Sequence, residues 1–261
     1  MTAVRAKKRF GQHFLKDQQL AAKIVASLNP PDACDRVVEV GPGMGVLSQL
    51  LFERMGFETF LIEIDRESIA YLKRKYPDKA DHIISGDFLS WDPLSITDGD
   101  LAIIGNFPYN ISSQILFKVL DYKDHVVEVV GMLQKEVAER ISSSPGKKAY
   151  GILSVLLQAF YKVEYLFTVG PESFAPPPKV SSAVVRLQRL PKTPFGCDQK
   201  LFKKIIKQGF QNRRKTLRNA LKPFNLPDYL RGLTELDLRA EQLSVADFVS
   251  LTNKLAEHWK K

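Results

Sequence analysis

Short apolar runs alternate with stretches of helical period through the first two-thirds of the chain. Runs of strand length lie at Val37–Val40, Thr59–Ile62, His82–Ile84, Leu101–Ile104 and Val126–Met132. Between them, helical spacing recurs near Val46–Arg54, Glu67–Lys75, Ser112–Leu120 and Gln134–Ser142. Strand then helix, repeated, predicts a parallel sheet covered on both faces. A helical stretch at Tyr150–Tyr161 precedes two further strands, Val163–Val169 and Ser182–Leu187, with no helix between them. These predict a closing antiparallel pair. The fold class is therefore α/β, with a seven-stranded Rossmann-like sheet.

The segment 188–199 has two prolines and a glycine and no periodicity, so it reads as a linker. It divides the chain into a domain over 1–190 and a small all-helical domain over 191–261. On a helix opening near Lys200, Lys203, Lys204 and Lys207 share one face, and Leu201, Phe202, Ile205 and Ile206 lie opposite. Charge sharpens this picture. Of 38 Lys and Arg, five lie within residues 1–16 and nine within 199–222, and neither segment holds any of the 29 acids. Two basic segments on an otherwise acidic chain suit a polyphosphate partner. Lys203, Lys204, Lys207, Arg213 and Arg214 are the candidate contacts to such a partner.

No apolar run is long enough to span a bilayer, and the charged N-terminus lacks the apolar core of a secretory signal. The expectation is a cytoplasmic protein with no membrane partner. Cys34 and Cys197 are isolated, which argues against a disulfide framework and against a zinc site, so no metal is expected.

The first strand runs into Gly41-Pro42-Gly43-Met44-Gly45. Alternate glycines let the backbone turn sharply and let a ligand approach without meeting a Cβ. The spacing is neither that of a dinucleotide loop nor that of a P-loop. Glu63 ends the second strand, 22 residues after Gly41, where a carboxylate can accept from both ribose hydroxyls. Asp87 follows the third, where it can accept from an adenine amino group. Together they describe a pocket for adenosine without phosphate, which S-adenosylmethionine fits.

The fourth strand ends in Gly105-Asn106-Phe107-Pro108-Tyr109-Asn110. Pro108 lacks an N–H and fixes its own φ, so it stiffens the turn. The Asn106 side-chain carbonyl and the backbone carbonyl of Phe107 or Pro108 can accept from the two N–H groups of an exocyclic amine. Such bonds free the N6 lone pair of adenine and stabilise the positive charge that develops on attack. Tyr109 offers a flat face for an unstacked base.

In that order, the glycine loop, strand-end Glu, Gly-Asp and Asn-Phe-Pro-Tyr-Asn resemble the ribosomal RNA adenine dimethyltransferase family over nearly the whole chain. The resemblance implies an S-adenosylmethionine-dependent methyltransferase domain followed by a helical RNA-binding domain. "RFGQHFLKD" (9–17) is similar to the family's N-terminal motif, which implies cofactor contacts at His13 and Leu15. "PESFAPPPKVSSAVVRL" (171–187) is similar to its late motif, which implies that Phe174 stacks on the target adenine opposite Tyr109. By the same resemblance Gly41, Glu63, Asp87 and Asn106 line the cofactor site. Phe107 stands where the family often has Leu, and His13 where it often has Asn.

Pro42 between the first two glycines resembles the branch that dimethylates two adjacent adenosines near the 3′ end of small-subunit rRNA during ribosome assembly. The implied partners are that rRNA and the immature small subunit, met by a monomer. The alternatives are a large-subunit dimethyltransferase conferring macrolide resistance, a DNA adenine methyltransferase, and a non-catalytic RNA-binding assembly factor.

Overall fold

The structure, a computed structural model, describes residues 4, 6, 7, 10–191, 195–226 and 228–259. Arg5, Lys8 and Arg9 of the basic N-terminus and residues 192–194 of the expected linker lie outside the described residues. The chain forms two compact units: Met1–Ala138 with Lys162–Arg189, and Glu139–Tyr161 with Leu190–Lys261.

Among the described residues the first unit is built on the strands β1 (Phe14–Leu15), β2 (Arg36–Val40), β3 (Glu58–Glu63), β4 (Ile83–Ser85), β5 (Leu101–Asn106), β6 (Val126–Gln134), β7 (Tyr161–Val169), β8 (Phe174–Ala175) and β9 (Ser182–Arg189). Seven form one sheet in the order β4-β3-β2-β5-β6-β9-β7. β2 pairs in parallel with β3 on one side and β5 on the other, and β6 continues in parallel beyond β5. Chain order thus reverses direction at β2, which makes the gap between β2 and β5 the topological switch point where open α/β sheets bind ligands. β9 runs antiparallel to β6. At β7, Glu164 receives Arg186 of β9, and the Phe160 carbonyl before it receives the Leu190 N–H beyond β9, so this last pair is antiparallel as well.

β5 and β6 are buried along nearly their whole length, as expected of central strands covered on both faces. Glu39 breaks the apolar run of β2. It is 2% exposed, and its Oε2 accepts from the Ser48 hydroxyl at 2.5 Å. Burial pushes its carboxyl up to about 8, against the lowering effect of Ser48, so at neutral pH it holds its proton. The unfolded value is about 4.3. A folded value above the unfolded one means that stability is lost as pH rises from the lower value through the higher. Glu39→Gln, which cannot ionise, is therefore expected to gain on the native chain between pH 5 and pH 8 in urea denaturation. An equal difference at both pH values would show that Glu39 is ionised in the fold.

In the second unit the helix Gln199–Gln211 is capped by Asp198, whose side chain accepts from the N–H groups of Lys200 and Leu201. It buries Phe202, Ile205, Ile206 and Gly209. Any Cβ at Gly209 would lie 2.8 Å from Leu217, so the absent side chain sets the close approach of the next helix, Leu217–Ala220. Lys200, Lys204 and Lys207 are exposed along the opposite face, with Arg214 and Lys215 exposed beyond it; Lys203 is half-buried.

Two expectations are corrected here. Residues 139–161, placed by sequence in the first domain, belong to the compact unit of the C-terminal helices. The helix Ile152–Gln158 packs on Gln199–Gln211, and Phe160 stacks on Phe195, which meets Phe202 edge-on. Arg213, expected at the RNA, is engaged within the unit. Its Nε donates to Glu241 at 2.5 Å, and its Nη2 donates to the carbonyls of Lys148 and Tyr150. A guanidinium with three partners of this kind is a latch between segments distant in sequence. Among the described residues no helix is long and apolar enough to cross a membrane.

Candidate active site

A cleft opens at the carboxyl ends of β2, β3 and β5, lined there by Val40, Gly41, Ile62, Glu63, Asn106 and Pro108, the rim where open α/β sheets bind ligands. Its floor is the glycine loop. Gly41, Gly43 and Gly45 have φ of 68°, 57° and 72°, in the left-handed region that favours glycine. At Gly43 a Cβ would also lie 2.8 Å from the Phe14 ring, so both backbone angle and neighbour exclude a side chain.

Glu63, at the end of β3, is 4% exposed. Its Oε1 accepts from the N–H groups of Ile64 and Asp65 at 2.8 and 2.9 Å, and its Oε2 from that of Gly43 at 3.1 Å. Burial raises its carboxyl above the usual range, and these N–H groups work the other way. Each carboxylate oxygen accepts about two hydrogen bonds. Oε1 is therefore filled, and Oε2 keeps capacity for one ribose hydroxyl, not two. Asp87 lines the same cleft, with Oδ1 accepting from Leu89 N–H at 2.9 Å. Oδ2 is left for an amino group of a ligand. A glycine cradle, one remaining acceptor on a buried carboxylate and a second carboxylate beyond it fit an adenosine without phosphates.

The N-terminal segment closes one wall. Lys7 bridges Asp65 at 2.6 Å and Glu67 at 2.9 Å, and Gln12 reaches Asp65 at 3.4 Å. Burial works to raise the Asp65 carboxyl, but the hydrogen bonds from Lys7, Glu67 N–H and Gln12 hold it below its usual value. β1 then pairs antiparallel with β8, Phe14 opposite Ala175 and Leu15 opposite Phe174. His13 Nδ1 lies 2.8 Å from the Pro176 carbonyl. A carbonyl only accepts, so Nδ1 carries a proton.

Asn106 ends β5 inside the cleft. Its Nδ2 donates to the backbone carbonyl of His13 at 2.8 Å, which fixes the amide and leaves Oδ1 as an acceptor. Of the two turn carbonyls that the sequence left open, that of Pro108 already accepts from Ile111 N–H at 3.1 Å. Among the described residues the carbonyl of Phe107 has no such bond. Phe107 itself is 1% exposed, and a Cβ at Gly105 or Gly131 would lie 3.0 or 2.6 Å from its ring. Two glycines on neighbouring strands thus make room for the ring that anchors the turn. Tyr109 lines the cleft; its hydroxyl hydrogen-bonds Ser182 at 2.5 Å, and its ring lies 5.4 Å from that of His13.

Two residues implied by the family resemblance fall elsewhere. Phe174 is 1% exposed in the core cluster with Leu15, Met132 and Val184, and does not line the cleft, so from this position it cannot stack on a base. The aromatic ring beside Tyr109 is that of His13. Leu15 is 5% exposed in the same cluster and does not line the cleft itself, but it borders a small adjoining pocket with Gly41 and Asn106. Sequence reading also missed the His13 carbonyl and the Phe107 wedge. For the wedge a signal existed, a glycine near the end of each of two neighbouring, mostly apolar strands. For the carbonyl there was none.

Residues 3–257 match the family described as ribosomal RNA adenine dimethylase. A ribosomal RNA small subunit methyltransferase A from Cytophaga hutchinsonii is 55% identical over 256 residues, covering 98% of this chain and 99% of that protein. One of the same name from Parabacteroides distasonis is 52% identical, covering 100% and 98%. Among solved structures, a dimethyladenosine transferase from Plasmodium falciparum aligns with a TM-score of 0.80 at 26% identity, covering 94% of this chain and 98% of that one.

Proposed function

The chain belongs to the ribosomal RNA adenine dimethylase family and is an S-adenosylmethionine-dependent rRNA adenine dimethyltransferase; from that premise we propose that it dimethylates N6 of two adjacent adenosines in the hairpin near the 3′ end of small-subunit rRNA. The observation that carries the mechanism is the fixed Asn106 amide. With Nδ2 held by His13, Oδ1 and the Phe107 carbonyl are the two acceptors at the rim. They draw the N–H groups of the adenine amine out of the ring plane, localise its lone pair, and stabilise the charge that builds on nitrogen. Bound in the glycine cradle, S-adenosylmethionine supplies an electrophilic methyl. Glu63 and Asp87 hold its nucleoside, and Tyr109 offers its face to the target base. The product ammonium is acidic enough to lose its proton to water, so no general base is assigned.

The substrate is the rRNA within an immature small subunit in the cytoplasm, and the enzyme acts as a monomer. Incubation with labelled cofactor and either immature small subunits or large subunits, followed by mapping of the modified residues, tests this. Label confined to two adjacent small-subunit adenosines is expected. Label in large-subunit rRNA alone, or none, overturns the assignment.

The exposed face of the helix Gln199–Gln211 holds phosphates by charge and not by base edges. Changing Lys200, Lys204 and Lys207 to Glu is expected to weaken subunit binding and to flatten its dependence on salt, because fewer counterions are released. An unchanged salt slope would show the face to be merely solvated.

A further inference from the structure

We infer that Lys118 is a positioning residue for cofactor recognition, acting through the loop that carries Asp87. The inference rests on the reading that Asp87 accepts from the adenine amine of the cofactor. The loop leaves β4 through Gly86 and forms a tight turn, in which the N–H groups of Ser90 and Trp91 donate to the Asp87 carbonyl at 3.1 and 2.9 Å. Its inner side, Gly86 to Leu89, lines the cleft. Its outer side is met by the helix Ser112–Asp121, which presents Lys118.

The Lys118 ammonium donates to the Leu89 carbonyl at 3.0 Å and to the Trp91 carbonyl. The Phe88 and Tyr122 rings flank it, with centroids 5.5 and 5.4 Å from Nζ. One cation therefore binds two carbonyls of a five-residue turn and lies between two aromatic faces, each contact favourable to a partly buried ammonium. Asp87, Asp92 and Asp121 supply negative charge around it, while burial lowers its own pKa. Lys118 cannot reach a ligand through the loop. What it does is fix where the Asp87 carboxylate stands, because Asp87 Oδ1 is bonded to the N–H of Leu89, the residue whose carbonyl Lys118 holds. Ammonium, Leu89 backbone and Asp87 carboxylate form one chain of contacts ending at the cleft.

The helix carrying Lys118 begins directly after the Asn106–Ile111 turn. The same element thus follows the turn that holds the target amine and braces the loop that holds the cofactor's nucleoside.

The test compares affinity for S-adenosylhomocysteine with that for its inosine analogue, in which an oxygen replaces the exocyclic amine, by calorimetry on the full chain. The native protein and the variants Lys118→Met, Lys118→Arg and Asp87→Ala are measured. Lys118→Met is expected to weaken the adenosine ligand roughly tenfold, the scale of a lost hydrogen bond to a charged group, and to leave the inosine ligand nearly unchanged. The preference for adenosine then collapses. Lys118→Arg, which keeps a cationic donor, should restore most of it, and Asp87→Ala should abolish it. Loss of both ligands by the same factor in Lys118→Met would overturn the proposal in favour of general structural support. Full discrimination in Asp87→Ala would overturn the reading of Asp87 and the proposal with it. Collapse in Asp87→Ala with full discrimination in Lys118→Met would overturn the role of Lys118 alone.

Discussion

Asn106→Ala is expected to lower kcat by about 100- to 1000-fold, the usual cost of losing one preorganised polar contact to developing charge, with little change in cofactor affinity. The amide acts on the target amine as its nitrogen becomes positive, so the loss falls on the chemical step and not on binding. Asn106→Asp is the sharper test. The aspartate matches the amide in shape but has no N–H for the His13 carbonyl, and two oxygens would face each other where Nδ2 now sits 2.8 Å from that carbonyl. The expected result is a loss at least as large as for alanine, measured by single-turnover methyl transfer. Near-native turnover of Asn106→Ala would remove Asn106 from the mechanism, and near-native turnover of Asn106→Asp would remove the His13 anchor.

Phe174→Ala is expected to cost about 3–5 kcal/mol of stability, the range for emptying a buried aromatic site, as read from urea denaturation. Phe174 sits among Leu15, Met132, Val169 and Val184, and its backbone pairs with Leu15. A cavity there loosens the strand pair that carries the N-terminal motif. Phe174→Leu separates the packing role from the stacking role suggested by family resemblance. Leucine refills most of the volume and offers no flat face, so it should retain most of the stability and methyl transfer close to native. A Phe174→Leu variant that is folded but inactive would restore Phe174 to the base site.

The strands of the large sheet stand where the apolar runs placed them, because burial on both faces writes an unbroken signal into β5 and β6. Glu63, Asp87 and Asn106 were readable for a related reason: Glu63 and Asn106 end parallel strands and Asp87 lies two residues beyond one, and parallel strands end on one rim. Contacts across the sequence were not readable. Arg213 looked like its exposed neighbour Arg214 until Glu241 and the carbonyls of Lys148 and Tyr150 were found around it. Residues 139–161 read as one more helical stretch of the first domain, since periodicity reports that a helix has an apolar face and not which partner covers it. Phe174 sat in a motif whose family role concerns a bound base, whereas its burial follows from the two-residue pairing of β8 with β1, too short to leave a pattern.

That pairing also sets an order of events. The segment that aims the Asn106 amide is made first, yet the strand that seats it, β8, emerges about 160 residues later, roughly 8–32 s at ribosomal elongation rates. Until then residues 10–16 have no β8 partner, and the wall they form against the cleft is unfinished. A nascent chain released before residue 174 therefore carries Asn106 without the strand that seats the carbonyl its amide is bonded to. It also lacks the Pro176 carbonyl that holds His13 and the Ser182 hydroxyl that holds Tyr109, so the polar framework of the site closes only when the last third of the chain arrives.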